Sequence, residues 1–231
     1  MKLAAVAFAV SCLLPAASCL AADYSAEIVG LKGKAQWTSA AGTRRDASLH
    51  ELLRAGDSVH TGPGAHLDLA LDGRLNNLIA FEEGTEARIE SLHPAVLSIQ
   101  KGELFLKLTA WFDGPLKVRL PSAVVHGQSD FRVTYRDEEV VAQNFTSALV
   151  TVYVRDEEGK VLSQPFSVTD RHQRSVAFPG DTPQLSSISD FEEDKALKTQ
   201  GRLEGLFAEW KRIGKTSRVF TPRKAKEGLT A

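Results

Sequence analysis

Turn signals recur about every ten residues along most of this 231-residue chain, and this rhythm limits the folds open to it. The segments between the turns alternate apolar and polar residues, as in Leu67-x-Leu69-x-Leu71. Alternation with a period of two is typical of strands that bury one face. The pattern predicts a mainly β fold of stacked short antiparallel strands, forming either a β-sandwich or a β-solenoid-like domain. After the leucines, Asp72-Gly73 predicts a two-residue hairpin turn.

A C-terminal amphipathic helix follows the β region. The proline- and glycine-rich segment from Pro179 to Pro183 is a strong break, and Ser189-x-x-Glu192 matches a capping box at a helix start. Apolar residues then recur at helical spacing, which predicts one apolar face made of Leu203, Leu206, Phe207, Trp210 and Ile213. The predicted divisions are a signal peptide (1–22), a β domain (23–179), a linker with the helix (180–214) and a basic flexible tail (215–231).

The first residues have the pattern of a secretory signal peptide. Lys2 precedes an apolar run that is short for a membrane span, and small residues follow Pro15. Cleavage near Ala21 or Ala22 would place the mature protein in the periplasm or outside the cell. In the alternative, Cys19 follows small residues as in a lipoprotein box and would be acylated.

Composition and motifs give no sign of catalysis. The net charge of -1 shows no bias toward nucleic acid, and both cysteines lie within the leader. The sequence contains no nucleophile elbow, phosphate loop or dinucleotide fingerprint, and the histidines lack the spacing of a helical zinc motif. The acidic clusters 137–139 and 156–158 fall at predicted hairpin tips, where charge is solvated. We therefore predict a non-enzymatic protein without a cofactor or metal site. A hydrolase using dispersed carboxylates would need two carboxyl groups to meet across a cleft.

The stretch from Leu116 to Tyr135 contains two corners between alternating strands. Pro121 sets one bend and Gly127 permits the next. Strand alternation predicts that four apolar side chains point inward, namely Ala123, Val125, Phe131 and Val133. The positions that we single out as candidates for interaction are Pro121, His126, Gly127, Gln128 and Phe131.

This stretch resembles the core signature of the FecR family, a Thr-Pro-x-Ala strand followed by Arg-Gly-Thr-x-Phe-x-Val. Here the signature reads Leu120-Pro121-Ser122-Ala123 and then His126-Gly127-Gln128-Ser129-Asp130-Phe131-Arg132-Val133. Earlier segments resemble other family elements in the same order: Ala55-Gly56-Asp57, Thr61-Gly62 and the strand-glycine-strand step Leu97-x-Ile99-x-x-Gly102. The chain departs from the family where His126 and Gln128 replace the family's arginine and threonine.

The resemblance covers roughly Ala26 to Phe178 and implies a free-standing domain of the bacterial envelope, without the family's cytoplasmic anti-sigma segment. We expect a protein-interaction or signalling module whose partner is another envelope protein, with exposed strand edges available for strand addition. The sequence leaves two alternatives open. A glycan- or cell-wall-binding module would need an exposed aromatic platform that includes Trp37 and Trp111. A structural envelope protein would need no discrete ligand.

Overall fold

The computed structural model describes residues 24–109 and 114–213, so the predicted signal peptide and the basic tail lie outside the described residues. The described elements are β1 (Ala26–Lys32), β2 (Ala35–Thr38), β3 (Arg44–Asp46), β4 (Leu52–Leu53), β5 (Ser58–Thr61), β6 (His66–Ala70), β7 (Asn77–Phe81), β8 (Glu86–Leu92), β9 (Ala95–Leu108), β10 (Leu116–Arg119), β11 (Ala123–Gly127), β12 (Phe131–Arg136), β13 (Glu139–Asn144), β14 (Val150–Arg155), β15 (Val161–Val168), β16 (His172–Val176), β17 (Gln184–Ser187) and α1 (Asp190–Arg212). The predicted mainly β fold with one C-terminal helix is confirmed.

The strands form two sheets that share β9. Sheet A has the order β4-β1-β6-β7-β9-β12-β13-β16-β17. Sheet B has the order β3-β2-β5-β8-β9-β10-β11-β14-β15. All of these pairings are antiparallel except the parallel pairing of β9 with β10. In both sheets, the strands before β9 in sequence therefore lie on one side of it and the strands after β9 lie on the other.

Strand β9 changes sheets at a bend. Its first part pairs with β8 and β10 in sheet B, and its last part, beginning at Gly102, pairs with β7 and β12 in sheet A. Gly102 has φ of 98°, a backbone conformation that residues with a side chain rarely adopt. A Cβ atom here would also lie 2.4 Å from Cα of Thr85. Glycine is thus required where β9 leaves one sheet for the other.

The facing sides of the two sheets enclose one apolar core. On β9, Leu104 and Leu106 are fully buried in it, together with Phe131 from β12 and Val152 from β14. Replacing such a buried leucine with alanine typically costs about 2–5 kcal/mol of stability. Two layers around a single core make this domain a sandwich, which decides between the two β architectures that the sequence left open.

The predicted two-residue hairpin at Asp72-Gly73 is wrong. Strand β6 ends at Ala70 and β7 begins at Asn77, so the connection is longer. The Asp72 carboxylate organises this wider loop by accepting hydrogen bonds from the backbone nitrogens of Arg74, Asn76 and Asn77. The aspartate therefore stabilises the loop through its side chain and does not occupy a tight turn.

Helix α1 lies on the outer face of sheet A, where its residues Ala196, Leu203 and Trp210 pack with apolar side chains of that face. The predicted helix face was partly wrong, because Phe207 and Ile213 are 39% and 43% exposed. The helix follows β17, which extends sheet A beyond the proline-rich break. None of the helices in the described ranges is long and apolar enough to cross a membrane.

Candidate functional site

The stretch that the sequence singled out forms β10, β11 and β12 and crosses from sheet B to sheet A. Its four predicted inward side chains, Ala123, Val125, Phe131 and Val133, are all fully buried between the sheets, which confirms the alternation. Pro121 is exposed at the corner between β10 and β11. The corner closes with a hydrogen bond of 2.8 Å from the backbone nitrogen of Leu120 to the Ala123 carbonyl.

Gly127 and Phe131 belong together structurally. The Phe131 ring lies over Gly127 so closely that a Cβ atom at this glycine would be 2.3 Å from the ring. Gln128, directly after the glycine, is exposed. The Gly-x-x-x-Phe spacing of the predicted signature therefore serves packing at the crossing between the sheets.

His126 lies on the outer face of sheet B and is half-buried against the Tyr153 ring, with 4.7 Å between ring centroids. Burial and the positive charge of Lys117, which pairs with it across β10 and β11, lower the pKa of this imidazole. The neighbouring Ser129 hydroxyl is hydrogen bonded to Thr146, and Asp130 faces Lys107 at 3.6 Å. The three polar residues of this corner thus have separate partners and do not converge.

The acidic clusters occupy the loop tips that the sequence predicted. Asp137 and Glu138 form the turn between β12 and β13, and the 156–158 cluster lies between β14 and β15. An open groove of about 590 Å³ runs from the first of these tips to the bend of β9 and is bordered by Tyr135 and Lys101. Among the described residues, no group of three or more acidic, histidine or cysteine side chains could hold a metal ion.

The residues with the most unusual environment lie between sheet A and α1. Arg132 is 1% exposed, and its Nε donates a hydrogen bond of 2.5 Å to Gln143 Oε1. Its guanidinium also pairs with Glu192 of α1 and lies 3.5 Å from Glu103 Oε1. Lys195 of α1 completes this cluster with a contact of 2.5 Å from Nζ to Glu103 Oε2. Arg136 Nη2 also lies 3.8 Å from Glu103 Oε2, so three cations, one of them from the helix, surround this carboxylate.

Glu192 also shows how the helix start is organised. The Ser189 hydroxyl accepts a hydrogen bond of 3.3 Å from the Glu192 backbone nitrogen, as the predicted capping box requires. The Glu192 side chain, however, extends to Arg132 on the sheet. The capping interaction fixes the first turn of the helix, while the glutamate attaches that turn to β12.

A second charged cluster lies two helical turns further along α1. Arg202 Nη2 donates to Asp68 Oδ1 at 3.0 Å and to Glu82 Oε1 at 2.8 Å. The Thr199 hydroxyl donates to the same Glu82 oxygen at 2.9 Å. Asp68 is fully buried, and its other carboxylate oxygen has no hydrogen-bond partner in the described structure. A buried carboxylate oxygen without a donor costs free energy in the folded state.

The two carboxylates of this cluster respond differently to burial. Burial raises the pKa of Asp68 to about 6 despite the nearby charge of Arg202. Burial would also raise the pKa of Glu82, but hydrogen bonds from Arg202 and Thr199 hold that pKa below its usual value. His66, on the same side of β6, has a pKa lowered by burial and by Arg202. Asp68 is thus the carboxylate of this cluster whose pKa burial raises, to about 6.

Helix α1 connects the two halves of the sandwich. Its first turn contacts Arg132 on β12, whereas Arg202 reaches Asp68 on β6. Near the helix end, Trp210 packs against His50, with 5.5 Å between ring centroids, and His50 Nδ1 is 2.9 Å from Glu27 Oε1 on β1. The sequence interpretation missed these charged groups because only the apolar face of the helix was considered. Outward-facing acidic residues in several strands, together with cations seven residues apart in the helix, were the available signal.

The edges of the sheets differ in how well they are protected. β3 carries Arg44, Arg45 and Asp46, β4 has only 2 residues, and β15 contains Pro165. Charges, shortness and proline are the features by which edge strands avoid pairing with other chains. β17, with the sequence Gln-Leu-Ser-Ser, has none of the charges or prolines, and its four side chains are exposed. This edge is therefore the best suited to accept another strand.

The proposed aromatic platform is divided between described and undescribed residues. Trp37 is half-buried against the core between the sheets, and its indole nitrogen donates a hydrogen bond of 2.9 Å to Glu51 Oε2. Arg45 lies over the same ring, 6.0 Å from its centroid. Trp111 lies outside the described residues. The Trp37 ring is therefore already in contact with Glu51 and Arg45 of the same domain.

Comparison with solved structures found two crystal structures described as a "putative anti-sigma factor from Parabacteroides distasonis ATCC 8503". Each is 16% identical to this chain with a TM-score of 0.48, and each match covers 61% of this chain. The chain spans 64% of the length of one and 63% of the other. No protein-family model and no curated protein matches the sequence.

Proposed function

We propose that this protein is a non-catalytic interaction module of the bacterial cell envelope, related to the FecR periplasmic domain, that binds another envelope protein by strand addition at β17. The observation that carries this proposal is the unprotected edge of sheet A. Alternate residues of an edge strand direct their backbone N–H and C=O groups away from the sheet, where an added strand can pair with them. The leader sequence supports a location outside the cytoplasm.

The side chains around β17 add specificity to this edge. Leu185 is 49% exposed, and Phe191, at the start of the helix that follows, is 75% exposed. Backbone pairing supplies affinity in strand addition, and apolar side chains along the edge discriminate between partners. An incoming strand with an apolar residue opposite Leu185 would remove both from water.

The relation to the FecR family rests on the motifs and on the positions they occupy. The strand-glycine-strand step forms the bend of β9 at Gly102, and the core signature forms the crossing at Gly127. Both motifs therefore contribute to the architecture of the sandwich. The departures at His126 and Gln128 lie at the outer side of the crossing, where contacts with a ligand would differ from those of the family.

The test is photo-crosslinking in the envelope of the native host, with a photoreactive residue at Ser186 and mass spectrometry of the products. Leu185→Lys places a charge on the edge and is expected to abolish the crosslink, because charged edges resist strand pairing. The matched control is Leu149→Lys, which adds the same charge at a leucine that is 66% exposed before β14. Equal crosslinking by both variants would contradict strand addition at β17.

The same samples test the location. Mass spectrometry of the mature N-terminus is expected to find a chain that starts after Ala21 or Ala22. A mature chain that begins with acylated Cys19 would instead establish a lipoprotein.

A further inference from the structure

The register of edge strand β17 shows which of its backbone groups face outward. The Ile188 backbone nitrogen donates to the Arg171 carbonyl at 3.2 Å, which continues the antiparallel pairing of β17 with β16. Hydrogen bonding alternates from one antiparallel pair to the next, so Ser186 also bonds to β16. The N–H and C=O groups of Leu185 and Ser187 therefore point away from sheet A, toward whatever strand is added there.

These outward groups are complementary to themselves under a two-fold axis. Two copies of β17 can run antiparallel with Ser186 opposite Ser186 of the second copy. Leu185 of each copy then lies opposite Ser187 of the other, so each outward N–H meets an outward carbonyl. Because a two-fold axis uses the same patch on both subunits, this pairing ends at the dimer.

The side chains of β17 fit this register on both faces. Leu185 lies on the core side of sheet A, since it pairs with Arg174, whose Nε donates to the Ser167 carbonyl of β15 in the other sheet. The leucines of two copies would lie diagonally, about 7–8 Å apart, and shield each other from water. On the opposite face, the two Ser186 side chains form a close pair without backbone bonds, where small hydroxyl side chains can hydrogen bond.

Neither charge nor the helix obstructs a second copy at this edge. β17 contains no charged residue, so the two-fold pairing brings no like charges opposite each other within the strand. Helix α1 begins close after β17 and runs away from it across sheet A. Its first turn contacts Arg132 of β12, and Trp210 near its end packs against His50, beside β1. The space beyond β17 is therefore open to another strand.

We propose that β17 pairs with β17 of a second copy of this chain, so that sheet A continues across a two-fold dimer when no other partner is bound. An unprotected edge strand recruits other strands, and a second copy is the occupant that is always present. Since β17 has only 4 residues, the dimer is weak and a longer strand of another protein can displace it. The inference rests on the proposed function, because both use the same edge.

The first experiment measures the mass of the mature chain by light scattering over a dilution series. The wild type is expected to change from dimer to monomer on dilution. Leu185→Lys should weaken dimerisation at least tenfold relative to the matched control Leu149→Lys, because a lysine on an edge strand resists pairing. A wild-type chain that is monomeric at every concentration, or equal weakening by both variants, would overturn the proposal.

The second experiment tests the register with a disulfide. Both cysteines lie at or before residue 19, so the chain from Asp23 onward has no other thiol. Ser186→Cys is expected to form a disulfide between copies under mild oxidation, because opposite residues of such a pair have Cα atoms about 4.5 Å apart. Gln184→Cys is the matched control on the same face. It should crosslink at least tenfold more slowly, because it lies opposite Ile188 of the second copy. Equal rates would overturn the pairing of β17 with itself.

The two proposals for this edge can fail separately. A monomeric wild-type chain that still crosslinks to an envelope protein at Ser186 would overturn the dimer and support strand addition by another protein. A dimer that has the expected disulfide but no such crosslink would support the pairing of β17 with itself and overturn the proposed partner.

Discussion

Substitution of Asp68 by asparagine tests the electrostatics beneath α1, because this carboxylate is fully buried with one unsatisfied oxygen. Burial raises its pKa from 3.8 to about 6. At about 1.4 kcal/mol per pH unit, ionisation of Asp68 costs the folded state about 3 kcal/mol relative to the unfolded chain. The folded protein retains this proton between pH 4 and pH 6, where the unfolded chain releases it. The contribution of Asp68 to the free energy of unfolding of the wild type therefore falls as the pH rises from 4 to 6.

Three other ionisable groups face Asp68 and must be considered in the pH dependence of stability. Arg202 stays charged, Glu82 has a lowered pKa, and His66 has a pKa lowered by burial. The histidine acts in the opposite direction, because its folded state resists protonation and its contribution to stability grows as the pH rises through its titration. Since His66 is present in both proteins, its effect cancels in the comparison of the variant with the wild type.

We expect the free energy of unfolding of Asp68→Asn, relative to wild type, to increase by roughly 2–3 kcal/mol between pH 4 and pH 7. The measurement is urea unfolding followed by tryptophan fluorescence at a series of pH values. Asp137→Asn is the matched control, because it removes an exposed carboxylate at the tip between β12 and β13 and should leave the pH dependence unchanged. A difference between Asp68→Asn and wild type that is constant with pH would refute the reasoning.

Three further substitutions test the packing and the charged layer, each by urea unfolding at neutral pH. Gly127→Ala should destabilise the protein by roughly 1–3 kcal/mol, because its Cβ would overlap the Phe131 ring; wild-type stability would contradict this close approach. Gly201→Ala should stabilise the protein by about 1 kcal/mol, because the site is open and alanine favours helix; a loss would reveal an unseen constraint. Arg132→Ala should cost roughly 1.5–3 kcal/mol, because it removes the donor to Gln143 and the pairing with Glu192, while Lys195 still balances Glu103; a loss near zero would mean that water replaces these contacts.

The sequence predicted the features that depend on local alternation. Ala123, Val125, Phe131 and Val133 were placed inward by their period of two, and burial in a sandwich preserves that period along each strand. The Ser189 cap was also predictable, because it involves groups within a single helical turn. These features require no knowledge of which strands are neighbours.

The shared strand and the charged layer could not be predicted in this way. In the sequence, Gly102 is typical of a turn. In the structure it has a positive φ, yet β9 continues through it into the other sheet. Arg132 and Glu103 occupy outward positions that are normally solvated, and they become buried only because a helix some 60 residues away along the chain covers them, as the pairing of Arg132 with Glu192 shows. Burial that depends on distant segments leaves no periodic signal in the strand itself.

The position of β9 makes the two halves of the sandwich unequal during synthesis. Once the ribosome has released residues up to 108, the first half of the sandwich, β1 to β9, is complete. Every strand of this half then has its neighbours, and β9 lies at the border of both sheets. The same strand still presents unpaired edges in both sheets, which β10 and β12 later occupy. We therefore expect the first half to form a template onto which the second half assembles, with α1 closing over both last.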